Sequence, residues 1–301
     1  MSNARDPFAA VRAQAKDLVG HMTLEEKARL CGGMNFWNTT GVERLGLKPV
    51  MVTDGPHGLR KQTASADHLG INESVPSTCF PPACATACSF DPALMEEIGT
   101  AMGEECRQEE VAVILGPAAN IKRSPLCGRN FEYFSEDPLL SGKTAAGLIR
   151  GVQSQNIGAS LKHYLANNQE KARLASDSII DERALREIYF RVFEVAIAVQ
   201  KPSAVMTSYN AVNGIYPAEN ADVIQKLIRG EWGIDGMVMT DWGTYDTVDA
   251  VEMVKAGNCW LTEGSKKYSR LLEQAVKEGR LSRAVLERNV RSVISTMLKR
   301  V

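Results

Sequence analysis

Short unbroken apolar runs alternate along the chain with longer stretches in which apolar residues recur at helical spacing. The runs are Val50-Met-Val52, Val111-Ala-Val-Ile-Leu115 and Met237-Val-Met239, with Ile157 to Tyr164 and Ala204 to Asn210 as further strands that end in polar residues. Runs without polar alternation suit strands buried on both faces, as in a parallel sheet. The periodic stretches predict helices over about residues 8–20, 91–110, 139–154, 181–199, 221–232, 245–256, 266–279 and 282–299. Thr23, with Glu26 three residues on, reads as a capping box opening another helix. Ala83 to Ala87 reads as a small-residue strand, and Asn258 to Thr262 as a short last strand. Strand and helix thus alternate about seven or eight times, the pattern of parallel strands with helices outside. The expected fold class is α/β: a (β/α)8 TIM-type barrel, one strand irregular or missing, formed as a single domain over residues 1–301. The structural alternative is a doubly wound open sheet. Against it, no Gly-rich phosphate loop follows any strand.

Composition narrows the function classes. The chain is 44% hydrophobic and 24% charged, with a net charge of −1, so neither nucleic acid nor an anionic membrane is an expected partner. No stretch approaches the ~20 apolar residues of a spanning helix. The start lacks a basic and apolar signal pattern, and residues 1–4 read as a cloning remnant. Seven cysteines, an odd number, then argue for reduced thiols in a cytosolic setting. Cys79, Cys84 and Cys88 lie close together, but no CxxC pair accompanies them. His21, His57, His68 and His163 are scattered. The thiols are therefore read as small buried groups, with no metal and no cofactor expected. Glu104, Glu105, Glu109 and Glu110 read as a solvated helix face.

The chemistry concentrates where predicted strands end: Asp54, Arg129, Lys162, His163, Tyr209 and Asp241. In a barrel all six share the rim that carries active sites. Asp241 alone could equally cap the helix that follows it. Together, carboxylate, guanidinium, ammonium and imidazole can satisfy a ring of hydroxyls. Trp242, Phe36 or Trp37 could stack on the apolar face of a sugar. Lys162 and His163 are neighbours, and neighbours on a regular strand face opposite sides. Both can reach one ligand only if the backbone is irregular there.

These residues carry a resemblance. Thr53-Asp-Gly-Pro-His-Gly58, the run Arg123 to Pro138, Leu161-Lys-His-Tyr164, Val205 to Asn210 and Val238-Met-Thr-Asp-Trp-Gly243 resemble, in order, the N-terminal barrel of glycoside hydrolase family 3 β-glucosidases. The resemblance implies Asp241 as the nucleophile of a retaining mechanism. It also implies a glucose pocket lined by Asp54, Arg60, Arg129, Lys162, His163, Arg173 and Tyr209, beside Trp242. β-Glucosides or glucose are the implied ligands, with xylose or N-acetylglucosamine as alternatives. In the family the acid/base glutamate comes from an α/β sandwich domain beyond the barrel. This sequence ends at Val301, so the expectation is a barrel without that acid, weakly active or inactive, with a separate α/β sandwich domain as a partner. A branch that uses a loop histidine reads Lys-His-Phe-Pro-Gly-His; this chain has Lys162-His-Tyr-Leu-Ala-Asn-Asn168 instead. After the nucleophile, Cys259-Trp-Leu-Thr-Glu-Gly264 departs from the family's Asp-Leu-Glu-Met-Pro-Gly. With the Cys- and Ala-rich run 83–88, it reads as a sign of a trimmed and redesigned barrel. Glu263, in that departing segment, is a speculative substitute acid/base, against a reading as a solvated loop residue or helix cap. From another function class, the rival is a non-catalytic glucose-binding barrel or engineered scaffold, or half of a two-chain enzyme.

Overall fold

A computed structural model describes residues 9–63, 66–67, 71–244 and 247–299. Residues 1–4 and His68 lie outside them. The strands are β1 (Met51–Asp54), β2 (Val111–Leu115), β3 (Gly158–Tyr164), β4 (Asp177–Ser178), β5 (Ala204–Thr207), β6 (Ala211–Val212) and β7 (Met237–Thr240). Five of them form one parallel sheet in the order β1-β2-β3-β5-β7. β4 and β6 make a separate two-residue parallel ladder. Consecutive sheet strands are joined through helices, the topology predicted by the alternating pattern. Every residue of β2, β3, β5 and β7 is buried, which explains the apolar runs of β2 and β7.

Asn258 to Thr262 does not form the expected last strand. Met239 and Trp260 share one parallel bridge, and both Cys259 and Trp260 donate their N–H to Val238 O. Thr240 N donates back to Trp260 O at 3.2 Å and Gly243 N to Thr262 O at 3.3 Å, while Thr262 N donates to Thr240 Oγ1 at 2.9 Å and Thr262 Oγ1 to Thr240 O at 2.8 Å. The described sheet is thus an α/β curl extended by one bridge rather than by a further strand.

Most predicted helices form: Ala9–His21, Leu24–Gly32, Pro92–Gln108, Pro138–Ser154, Arg191–Val199, Lys266–Lys277 and Arg283–Leu298. The Thr23–Glu26 capping box is present in both directions. Ala83 to Ala87 is helical rather than a strand, with Ala83–Thr86 followed by a 3₁₀ turn. Alanine favours helix, and Ala83 N–H donates to His57 Nε2 at 3.0 Å instead of to a strand. The helix expected over 245–256 begins only at Ala250, where Asp249 accepts from Val251 N and Glu252 N. The acidic face of Pro92–Gln108 is not simply solvated. Glu105 accepts from Thr78 Oγ1 at 2.6 Å, and Glu109 from Lys61 Nζ at 3.2 Å, so that face ties down both ends of the loop after β1. All seven cysteines are free thiols; Cys79 and Cys88 are exposed rather than buried, because their helix-turn segment lies at the surface.

The turn after β1 depends on two glycines. Gly55 and Gly58 have φ of 141° and 134°, and a Cβ at either would meet a backbone oxygen at 2.2 or 2.1 Å. That turn swings the chain so that Asp54 and Arg60 meet.

A buried ion pair fastens the N-terminal helices to the C-terminal one. Lys27 Nζ, 2% exposed, lies 2.6 Å from Glu287 Oε1. Removing one partner of such a pair leaves a buried charge uncompensated, at a cost of about 3 kcal/mol. Glu287→Gln is therefore expected to lower the melting temperature by about 6 °C, at about 2 °C per kcal/mol for a domain this size. Lys27→Met is expected to cost less, because Glu287 can reach water. Calorimetric melting of both variants checks this; equal, negligible shifts would show that the pair contributes nothing.

Candidate active site

The C-terminal ends of the sheet strands and their loops enclose a cavity of about 140 Å³. Asp54 (end of β1), Lys162 and His163 (β3), Tyr209 (after β5), and Asp241 with Trp242 (after β7) all line it. Arg60, Arg129 and Arg173 reach it from loops. The strand-end residues picked out by the sequence converge on this one space.

Asp54 is held between two cations. Lys162 Nζ donates to Oδ1 at 3.0 Å and Arg60 Nη2 to Oδ2 at 3.1 Å. Burial pushes this carboxyl up, but Lys162 and Arg60 outweigh it and hold it at about 2. Asp54 is therefore a permanent carboxylate, suited to accepting hydroxyl hydrogens and unsuited to donating a proton.

The peptide between Lys162 and His163 is cis, and both side chains line the cavity. That is the backbone irregularity their adjacency required. His163 is buried, and burial, then Arg129, Lys162 and Arg173, keep its pKa well below the ordinary value, so the ring is neutral. Arg129 Nη2 lies 2.8 Å from His163 Nε2. Arginine only donates, so Nε2 accepts and Nδ1 carries the hydrogen, facing the Tyr133 hydroxyl at 3.3 Å. The 3.7 Å approach of His163 Nε2 to Asp241 Oδ2 is then a contact, not an ion pair.

Arg129 is anchored from behind. Glu132 Oε1 lies 2.5 Å from Nη2, and Glu170 Oε1 lies 3.7 Å from Nη1. Glu170 also accepts from Arg173 Nη1 at 3.2 Å and Asn167 Nδ2 at 3.1 Å. The Arg173 guanidinium stacks 4.6 Å above the Tyr209 ring.

Among the described residues, the Asp241 carboxylate caps no helix. Its Oδ1 accepts from Trp242 N at 2.8 Å, and its own carbonyl accepts from Thr244 Oγ1 at 2.8 Å. Burial raises the Asp241 carboxyl above its ordinary value, against the pull of Arg129, Lys162, the Trp242 N–H and Arg173. The Tyr209 hydroxyl donates to Trp242 O; burial and the Asp241 charge keep this phenol protonated. Trp242 packs 5.1 Å from Trp37 and 6.2 Å from Phe36, and its indole N–H donates to Phe36 O at 3.0 Å. One wall of the cavity is therefore aromatic.

Glu263 is half-buried and is not among the described residues lining the cavity. The sequence reading passed over Asp67, Leu115 and Met206, which do line it, and the supports Glu132, Tyr133 and Asn167. Glu132 and Tyr133 sat inside a quoted motif, but nothing in their spacing said that they face inward. Asp67 accepts from Gln62 Nε2 at 2.7 Å and from Ile71 N and Asn72 N at 3.1 and 2.9 Å, which pins the loop after β1 over the cavity. Among the described residues, no group of three or more His, Cys, Asp or Glu could hold a metal ion, and no helix is long and apolar enough to cross a membrane.

Carboxylates, fixed cations and an aromatic wall gathered at the strand ends of a parallel-sheet α/β domain suit a ligand with many hydroxyls and one apolar face, as a sugar has. More particularly, the chain belongs to glycosyl hydrolase family 3: the family's N-terminal domain matches residues 19–296. It is 51% identical over 283 residues to the thermostable β-glucosidase B of Acetivibrio thermocellus, covering 94% of this chain and 37% of that one. It is 47% identical to an exo-α-(1→6)-L-arabinopyranosidase of Bifidobacterium breve, covering 93% of this chain and 37% of that one. Among solved structures, β-glucosidase 3B from Thermotoga neapolitana in complex with glucose superposes with a TM-score of 0.87 at 41% identity, covering 95% of this chain and 42% of that one. The chain thus spans well under half the length of these relatives.

Proposed function

We propose that this domain carries the glucose subsite and the nucleophile of a retaining β-glucosidase, with Asp241 as the nucleophile. The observation that carries the reading is the setting of Asp241. It is a buried carboxylate, oriented by the Trp242 N–H, on the floor of a cavity lined by a fixed carboxylate and several cations. A terminal β-D-glucosyl unit lies with its hydroxyls against Asp54, Lys162, Arg129 and Arg173 and its apolar face on Trp242. His163 serves chiefly to orient Arg129. Asp241 attacks the anomeric carbon, the glycosidic C–O bond breaks, and its electron pair leaves with the aglycone oxygen. Water then hydrolyses the glycosyl ester. A covering domain like those of the longer relatives is a fitting partner for the cavity mouth.

The test is trapping with a 2-deoxy-2-fluoro-β-glucosyl fluoride, which accepts the nucleophile but releases the ester slowly. A mass gain of one fluoroglucosyl group on the peptide containing Asp241 is expected. Labelling of another residue, or none at all with the reagent saturating, would overturn the assignment.

A further inference from the structure

A second cavity, of about 400 Å³, lies by the chain leading into β7, away from the strand ends that form the first. It runs between the helices Ala9–His21 and Arg283–Leu298 and the helical segment Asp222–Glu231. Arg12, Lys16, Arg229, Arg288 and Arg291 line it, and Asp235 is the one carboxylate among the described lining residues. Five cations against one anion is a sharp local excess in a chain whose net charge is −1.

Arg229, Arg288 and Arg291 donate hydrogen bonds to no carboxylate among the described residues. Arg229 donates from Nη1 to Ile234 O at 2.7 Å and Gly236 O at 2.5 Å, and from Nη2 to Cys259 Sγ at 3.2 Å. The two carbonyl acceptors carry no net charge, so they hold the guanidinium without pairing it to a carboxylate. Arg291 Nε donates to the Glu287 carbonyl at 3.3 Å, while the Glu287 carboxylate is taken up by Lys27 and Arg283. Arg288 donates only a long 3.4 Å bond to Asn289 Oδ1, and its Nη2 is buried with no partner among the described residues. Burial, together with the like charges of Arg229 and Arg291, disfavours its charged form, although Cys259 acts the other way. Arg12 alone has a carboxylate, Asp235, at 3.3 Å. Arg229 and Arg288 are half-buried while Arg12, Lys16 and Arg291 are exposed, and like charges gathered where two of them are partly desolvated favour an anion beside them.

We propose that this cleft is an anion site for a phosphoryl group, held by Arg288 and Arg291 with Lys16 and Arg229 adding charge. Guanidinium forks match the oxygens of a phosphoryl group in pairs, and a preoriented arginine gives up little conformational freedom on binding. The oxygens accept hydrogen bonds from the donors that the protein leaves unused. Free phosphate and a phosphorylated sugar present the same group.

The experiment is calorimetric titration of the full chain with inorganic phosphate and with glucose 6-phosphate, at an ionic strength fixed with chloride. Saturable binding, on the order of millimolar or tighter, is expected. Arg291→Gln and Arg288→Gln should each weaken it about tenfold. Arg291 is exposed, so its variant keeps the test open if Arg288→Gln fails to fold. Tighter binding of glucose 6-phosphate than of phosphate would identify a sugar phosphate as the ligand; equal affinity would identify the free ion. No saturation by either probe, or affinities unchanged in Arg291→Gln, would overturn the site.

Discussion

Asp241→Asn is expected to lower kcat/KM on a nitrophenyl β-glucoside by at least about 10⁴-fold, the scale on which removing a covalent nucleophile acts. The variant should fold. Asparagine keeps the shape of aspartate and an oxygen for the Trp242 N–H, and Arg129 retains Glu132 and Glu170 as anionic neighbours. An unchanged melting curve with lost turnover would separate chemistry from stability, whereas retention of more than a few per cent of activity would sink the nucleophile assignment. The wild-type pH profile tests the same group. Only the ionised carboxylate attacks, so activity falls as pH drops through the pKa of Asp241. Burial raises that pKa from 3.8, so the acid limb of kcat/KM should lie above the ordinary aspartate value. An acid limb at or below that value would mean that the cations around Asp241 outweigh its burial.

Much of this architecture was readable because one physical signal dominated each element. Strands buried on both faces are mostly apolar, and β2 and β7 are readable for that reason, whereas β3 carries Ser160, Lys162 and His163. The helix Leu24–Gly32 announced itself through a reciprocal cap that needs only Thr23 and Glu26. The misreadings fall where tertiary contacts decide. Nothing local says that Ala83–Thr86 docks its first N–H on His57, or that Thr262 prefers the side chain of Thr240 to a ladder. The site divides in the same way. Asp54, Lys162, Tyr209 and Asp241 stand at strand ends, where position alone implies a shared rim. The residues that hold the cations in place, Glu132, Glu170 and Tyr133, sit on loops whose paths the sequence does not reveal. The cationic cleft was invisible for a related reason: its charges come from three helices far apart in sequence, each of which has an ordinary polar face.

Aryl glucosides with good leaving groups are expected to be cleaved far faster than cellobiose by this domain, by about 10²–10⁴-fold beyond the difference for an enzyme with its acid in place. A leaving oxygen can take its proton only from an acid that lines the cavity. Among the described residues there are three: Asp54, Asp67 and Asp241. Asp54, at about 2, is ionised at any working pH and cannot protonate a leaving oxygen. The Asp67 carboxylate is occupied by Gln62 and two backbone N–H groups. Asp241 is the attacking group. Glu263 is not among the described residues of that lining. A nitrophenolate departs as a stable anion, while the sugar alkoxide of cellobiose needs a proton as its bond breaks. Measuring kcat/KM on both substrates, for wild type and Glu263→Gln, decides the matter. A large disparity that the substitution leaves unchanged fits a site that supplies no acid from these residues. Comparable rates on the two substrates would reveal a proton donor, and a selective loss on cellobiose in Glu263→Gln would name it.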